Sequence, residues 1–211
     1  MAGILFVMSA SDHWTLNDGT RHPTGFWAEE FAEPFRALTE AGHTVDVATP
    51  GGVTPVVDQG SLDGAAAPAV PAALRLEDVD LDSYAAVFYP GGHAPMEDLA
   101  RDAASAALLG KALAAGKPVA LVCHGVAALL PVDRELVAGR RVTGFSNEEE
   151  GLAGLAPKAP WLLEDRLVAL GADYSAGEAF KPNVVVDGPL ITGQNPASSA
   201  ATAAELLKAV K

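Results

Sequence analysis

The stretch Pro118-Val119-Ala120-Leu121-Val122-Cys123-His124-Gly125 decides the fold. Its apolar run is short, rich in valine and closed by a glycine, the pattern of a strand buried on both faces of a parallel sheet. The chain then leaves the strand on a cysteine and a histidine, and only a sharp turn lets two consecutive side chains cooperate, because a regular strand sends them to opposite faces.

The pattern repeats on either side. Upstream, Ala85 to Tyr89 runs into Pro90-Gly91-Gly92-His93, and Ile4 to Met8 forms a first strand. Between them, residues with helical period span Phe26 to Ala41, and His43 to Thr49 reads as a strand that Pro50-Gly51-Gly52 stops. The stretch Val53 to Arg75, rich in Ala, Pro, Gly and Asp, reads as a surface excursion. A helix is expected over Asp102 to Ala115, a short strand over Arg140 to Gly144 and a helix over Pro160 to Leu170. Val184 to Val186 and Leu190 to Thr192 flank Asp187-Gly188 as a hairpin, and Ala197 to Lys208 forms a closing helix. Strands alternating with helices predict an α/β fold with a mostly parallel sheet and helices on both faces.

A chain of 211 residues, 49% hydrophobic, fits one domain over 1–211. The 14 Lys plus Arg against 27 Asp plus Glu leave a formal charge of −13, which repels phosphate backbones and anionic lipid. Neither nucleic acid nor a membrane is an expected partner. Each apolar run is too short to span a bilayer. With a single cysteine and no basic residue before the apolar start, the cytoplasm is the expected location.

Ligands of open α/β sheets bind beyond the carboxyl ends of the strands. The loop after Met8, Pro90-Gly91-Gly92-His93 and Cys123-His124-Gly125 all fall there. A nucleophile on a strand-to-helix elbow stands above the sheet, and the N–H after it points at the oxyanion that attack creates. A helix starting near Gly125 is expected to lower the Cys123 thiol pKa. Gly91 and Gly92 allow backbone to approach a substrate closely. On the first helix, Trp27, Phe31, Pro34, Phe35 and Leu38 form an apolar stripe; Glu29 lies opposite it and Glu30 at its edge, which singles out Glu30 as the carboxylate drawn inward. Burial raises a carboxyl pKa toward the range useful for proton transfer. His13 and His22, near Asp12 and Asp18, match no common ligand spacing, and no metal is expected.

Taken together, Gly25-Phe26-Trp27-Ala28-Glu29-Glu30-Phe31, Pro90-Gly91-Gly92-His93, Val122-Cys123-His124-Gly125, Thr143-Gly144-Phe145-Ser146-Asn147-Glu148-Glu149-Glu150, Leu162-Leu163-Glu164-Asp165 and Thr192-Gly193-Gln194-Asn195-Pro196 resemble the ThiJ/PfpI superfamily, in particular its glyoxalase III-like branch, which includes holding chaperones. The resemblance implies a flavodoxin-like three-layer sandwich and conversion of methylglyoxal to D-lactate without glutathione, metal or other cofactor. It further implies Cys123 as nucleophile, His124 as triad histidine and Glu30 as the glutamate near the thiol. The triad acid falls five residues after Phe145, at Glu150, with Glu148 and Glu149 adjoining it as alternatives. Gly91, Gly92 and His93 fall at the oxyanion and substrate side, with the N–H groups of Gly92 and His124 as donors. A small reactive aldehyde is the implied substrate, and a homodimer the implied assembly.

A glutamine amidotransferase of the same fold needs a histidine well downstream of the nucleophile, and the five histidines end at His124. A cysteine peptidase or amidase, repair of glycated side chains, and a non-enzymatic holding chaperone whose thiol senses oxidants remain alternatives at this stage.

Overall fold

The computed structural model describes residues 2–210. In chain order the elements are β1 (Gly3–Val7), β2 (His13–Thr15), β3 (Arg21–Pro23), α1 (Ala28–Glu40), β4 (Thr44–Thr49), β5 (Ala73–Arg75), β6 (Ala86–Tyr89), α2 (Ala103–Ala114), β7 (Val119–Val122), α3 (Arg134–Val137), β8 (Arg141–Val142), α4 (Asn147–Leu152), α5 (Leu163–Leu170), β9 (Asp173–Tyr174), β10 (Val184–Asp187), β11 (Leu190–Gly193) and α6 (Ser199–Ala209).

Seven strands form one sheet in the order β10-β11-β7-β6-β1-β4-β5. All neighbours run parallel except the β10–β11 hairpin. Every residue of β6, β7 and β11 is buried. Successive strand residues face opposite sides, so burial of all of them requires a layer on each face of the sheet. One layer is built from α1 and α6, which pack on one another, and α6 also rests on β7 and β11. This is the three-layer, flavodoxin-like α/β arrangement, and its core runs through Phe6, Phe31 and Phe88, with Phe6 stacked on Phe88 at 4.8 Å and edge-on to Phe31 at 5.8 Å.

Several expectations are corrected. The surface excursion 53–75 ends in β5, which pairs with β4 at the sheet edge; three residues, two of them exposed, give no hydrophobic signal. The loop after β1 carries the β2–β3 hairpin, too short and polar to announce itself. The strand expected over 140–144 shrinks to β8 and pairs with β9 in a separate two-stranded sheet. The elbow after β7 continues as a 3-10 helix over Cys123–Leu129, not as an α-helix starting near Gly125.

Candidate functional site

Tight backbone contacts bring the strand ends together. Trp27 N–H, at the start of α1, donates to the Gly91 carbonyl at 3.1 Å. A Cβ on Gly125 would lie 2.6 Å from the Tyr89 carbonyl oxygen and 2.8 Å from that of Pro90, so the elbow can press against the end of β6 only with glycine there. Gly92 takes φ +90°, and Cys123 itself takes φ +57°, a left-handed conformation that costs a non-glycine residue about 1–3 kcal/mol and persists where surrounding structure enforces it.

That conformation lets two consecutive side chains meet. Cys123 Sγ lies 3.4 Å from His124 Nδ1. On its far side His124 Nε2 lies 2.7 Å from Glu150 Oε2, and the other oxygen of the same carboxylate lies 2.8 Å from His93 Nε2. Burial works to raise the Glu150 pKa, but its interactions with His124 and His93, a short hydrogen bond to each ring among them, hold it well below the usual carboxylate range. An ionised carboxylate only accepts, so both Nε2 atoms must carry protons. Burial, with the neighbouring His93 charge, lowers the His124 pKa to about 4 against the pull of Glu150. At neutral pH His124 is therefore uncharged, and its bare Nδ1 faces the thiol.

Glu30 is the second ionisable group beside the thiol. It is fully buried, and its Oε2 accepts from Gly91 N–H at 2.7 Å while Oε1 has no hydrogen-bond partner. Burial pushes its pKa up to about 8, opposed by the Cys123 thiol and the Gly91 N–H. Glu29, one residue away, is exposed. For Cys123 the expectation of a lowered pKa is overturned. The thiol is buried rather than exposed above the sheet, and burial together with the Glu30 charge pushes it well above its ordinary value. The backbone N–H groups of His124 and Gly92 are directed at the sulfur and act in the opposite sense. The 3-10 turn that replaces the expected helix brings no long helix dipole to offset burial.

His93, anticipated on the substrate side, turns its ring onto Glu150, lies 4.0 Å from the His124 ring and stacks on Trp14 at 5.3 Å. Of the adjoining glutamates, Glu148 is exposed. Glu149 is buried in a separate network: its carboxylate accepts from Ser146, Gln194, Asn195 and the Phe180 N–H. The Ser146-x-x-Glu149 capping box that starts α4 was legible as a motif. The reach of Glu149 to Gln194 and Asn195 was not. His93, His124 and Glu150 bring their ligand atoms within 4.8 Å of one another, so they could hold a cation, which would have to displace the two N–H protons that Glu150 now accepts.

The sequence matches the DJ-1/PfpI family over residues 23–209. The chain belongs to the DJ-1/PfpI family. Among curated relatives of this DJ-1/PfpI chain, the glutamine amidotransferase-like class 1 domain-containing protein 1 of Bos taurus is 34% identical over 198 residues, covering 87% of each chain. The glutathione-independent glyoxalase HSP31 of Saccharomyces cerevisiae is 31% identical over 145 residues, covering 64% of this chain and 61% of that protein. Among solved structures, the rapid encystment protein REP24 of Francisella tularensis superposes with a TM-score of 0.91 at 28% identity, covering all of both chains. The family carries enzymes, and the flavodoxin-like fold expected from the sequence is the one found.

Proposed function

We propose that this DJ-1/PfpI chain is a glutathione-independent glyoxalase that converts methylglyoxal to D-lactate through a hemithioacetal on Cys123. The observation that carries the reading is what surrounds the sulfur: a neutral imidazole nitrogen at 3.4 Å and the buried Glu30 carboxyl, which interacts with the thiol. The relative in Saccharomyces cerevisiae named for the same activity supports it.

In this mechanism His124 Nδ1 takes the thiol proton as sulfur adds to the aldehyde carbon, and His124 becomes cationic beside ionised Glu150. The N–H groups of Gly92 and His124 hold the new oxyanion until it takes a proton from His124. Glu30, in its carboxylate form, removes the proton from the sulfur-bearing carbon to give an enediol. Reprotonation of the neighbouring carbon gives a lactoyl thioester, and water cleaves it to lactate and free thiol. One carbon is oxidised and its neighbour reduced, so the electrons balance without a redox partner. Burial of the thiol favours a substrate of a few heavy atoms over a peptide, which weighs against the peptidase and chaperone alternatives.

The test is incubation of metal-free protein with methylglyoxal and chiral analysis of the lactate. D-lactate formation that disappears in Cys123→Ser is the expected outcome. Release of amine from a peptide or amide substrate without any lactate would replace this reading with a hydrolase.

A further inference from the structure

Trp14 lines a groove of about 770 Å³, within the roughly 300–1,000 Å³ that small-molecule sites occupy. Trp14 belongs to the β2–β3 hairpin, and its ring stacks on His93 at 5.3 Å, whereas neither Cys123 nor His124 lines the groove. The opposite wall comes from Trp161 and α5, and the two walls are tied together where Asn17 N–H donates to the Lys158 carbonyl at 2.9 Å and Asn17 Nδ2 to that of Pro157 at 3.1 Å. Met96, Leu130 and Leu170 supply apolar lining between them.

The charged groups of the groove are Glu97, Arg101 and Arg166. Glu97 is already engaged by Arg101 at 2.9 Å and by the Thr15 N–H at 2.8 Å. Arg166 forms no ion pair among the described residues; its guanidinium lies 5.6 Å from the centre of the Trp161 ring. An arginine braced on an indole keeps its N–H edge free in a fixed plane, which suits a carboxylate taken side by side. On a chain of net charge −13, a groove whose cations outnumber its anions two to one is a local exception.

We propose that this groove is a second ligand site, which takes a small organic carboxylate with an apolar body: the carboxylate pairs with Arg166 and the body lies against Trp161, Met96 and Leu130. Two of the three tryptophans of the chain line it, so indole emission reports its occupancy. The full chain is titrated with 4-phenylbutanoate and with the neutral 4-phenylbutan-1-ol. A saturable change with the acid, and binding of the alcohol about tenfold weaker, is expected for one charge-assisted pair. Arg166→Gln, an exposed substitution, should make acid and alcohol bind alike, and Trp161→Ala should weaken both. Cys123→Ser should bind the acid as the parent does, so the site stands or falls apart from the glyoxalase reading. Equal affinity of the two probes for the parent chain, or an unchanged preference in Arg166→Gln, would overturn the proposal. So would sedimentation in which Trp161→Ala turns a dimer into a monomer, because a second copy would then cover the groove.

Discussion

Glu29 and Glu30 differ by one position on α1 and by nearly everything in environment, since the first faces water and the second has no exposed surface. Glu30→Gln preserves volume and removes the base, so turnover should fall by about 10²–10⁴-fold, whereas Glu29→Gln should leave it nearly unchanged. Because the Glu30 pKa stands near 8, kcat/KM of the parent should climb with pH to a plateau above that value. A profile already flat from pH 6 would assign proton abstraction to His124. The same raised pKa bears on stability. The unfolded carboxyl ionises near 4.5, so the protonated form stabilises the fold fully below that pH, and the contribution is lost as pH rises to about 8. Denaturant unfolding should therefore show Glu30→Gln gaining on the parent across that window, by on the order of a few kcal/mol. At Cys123, alkylation by iodoacetamide should be slow at neutral pH and still rising above about pH 8.5, where an ordinary thiol is half ionised. A midpoint below that value would restore the lowered thiol that the sequence suggested. The position of Glu30 was legible because helical spacing alone ranks it against an apolar stripe. The thiol's environment was not, since burial depends on what the Glu30, Gly92 and His124 segments enclose together, and no local pattern encodes that.

The elements that shape the site are held by buried polar groups as much as by strands. Glu149 ties α4 to two other segments, accepting at 2.8 Å from the Phe180 N–H, and at 2.8 Å from Asn195 Nδ2 and 3.0 Å from Gln194 Nε2. Glu149→Gln would turn one acceptor into a donor facing donors, and urea unfolding should register a loss of about 2–4 kcal/mol. A change under about 0.5 kcal/mol would mean that the network is dispensable. Legibility at this scale followed hydrophobic contrast. The buried strands β1, β6, β7 and β11 and the amphipathic α1 were readable, because burial imposes a residue pattern. β2, β3 and β5, each three residues long, carry no pattern of their own: the first two pair only with each other in a short polar hairpin, and β5 answers to a partner distant in sequence, Thr49 with Arg75.

For the whole molecule, the homodimer rests on the family resemblance, and sedimentation velocity at micromolar concentration should show a species of twice the chain mass; a single monomer peak would remove that expectation. Among the described residues no helix is long and apolar enough to cross a membrane. The exposed large apolar side chains include Val53, Leu152, Val168 and Phe180.

Cys123 is the only sulfhydryl of the chain, and it is buried among residues as far apart as 30, 92 and 124. A bulky disulfide reagent cannot reach it until those segments part. Its modification is thus gated by openings of the native state, as amide exchange is for a deep hydrogen bond. The protein carries its own clock for breathing motions, and the rate that clock keeps at low reagent concentration measures the free energy of opening.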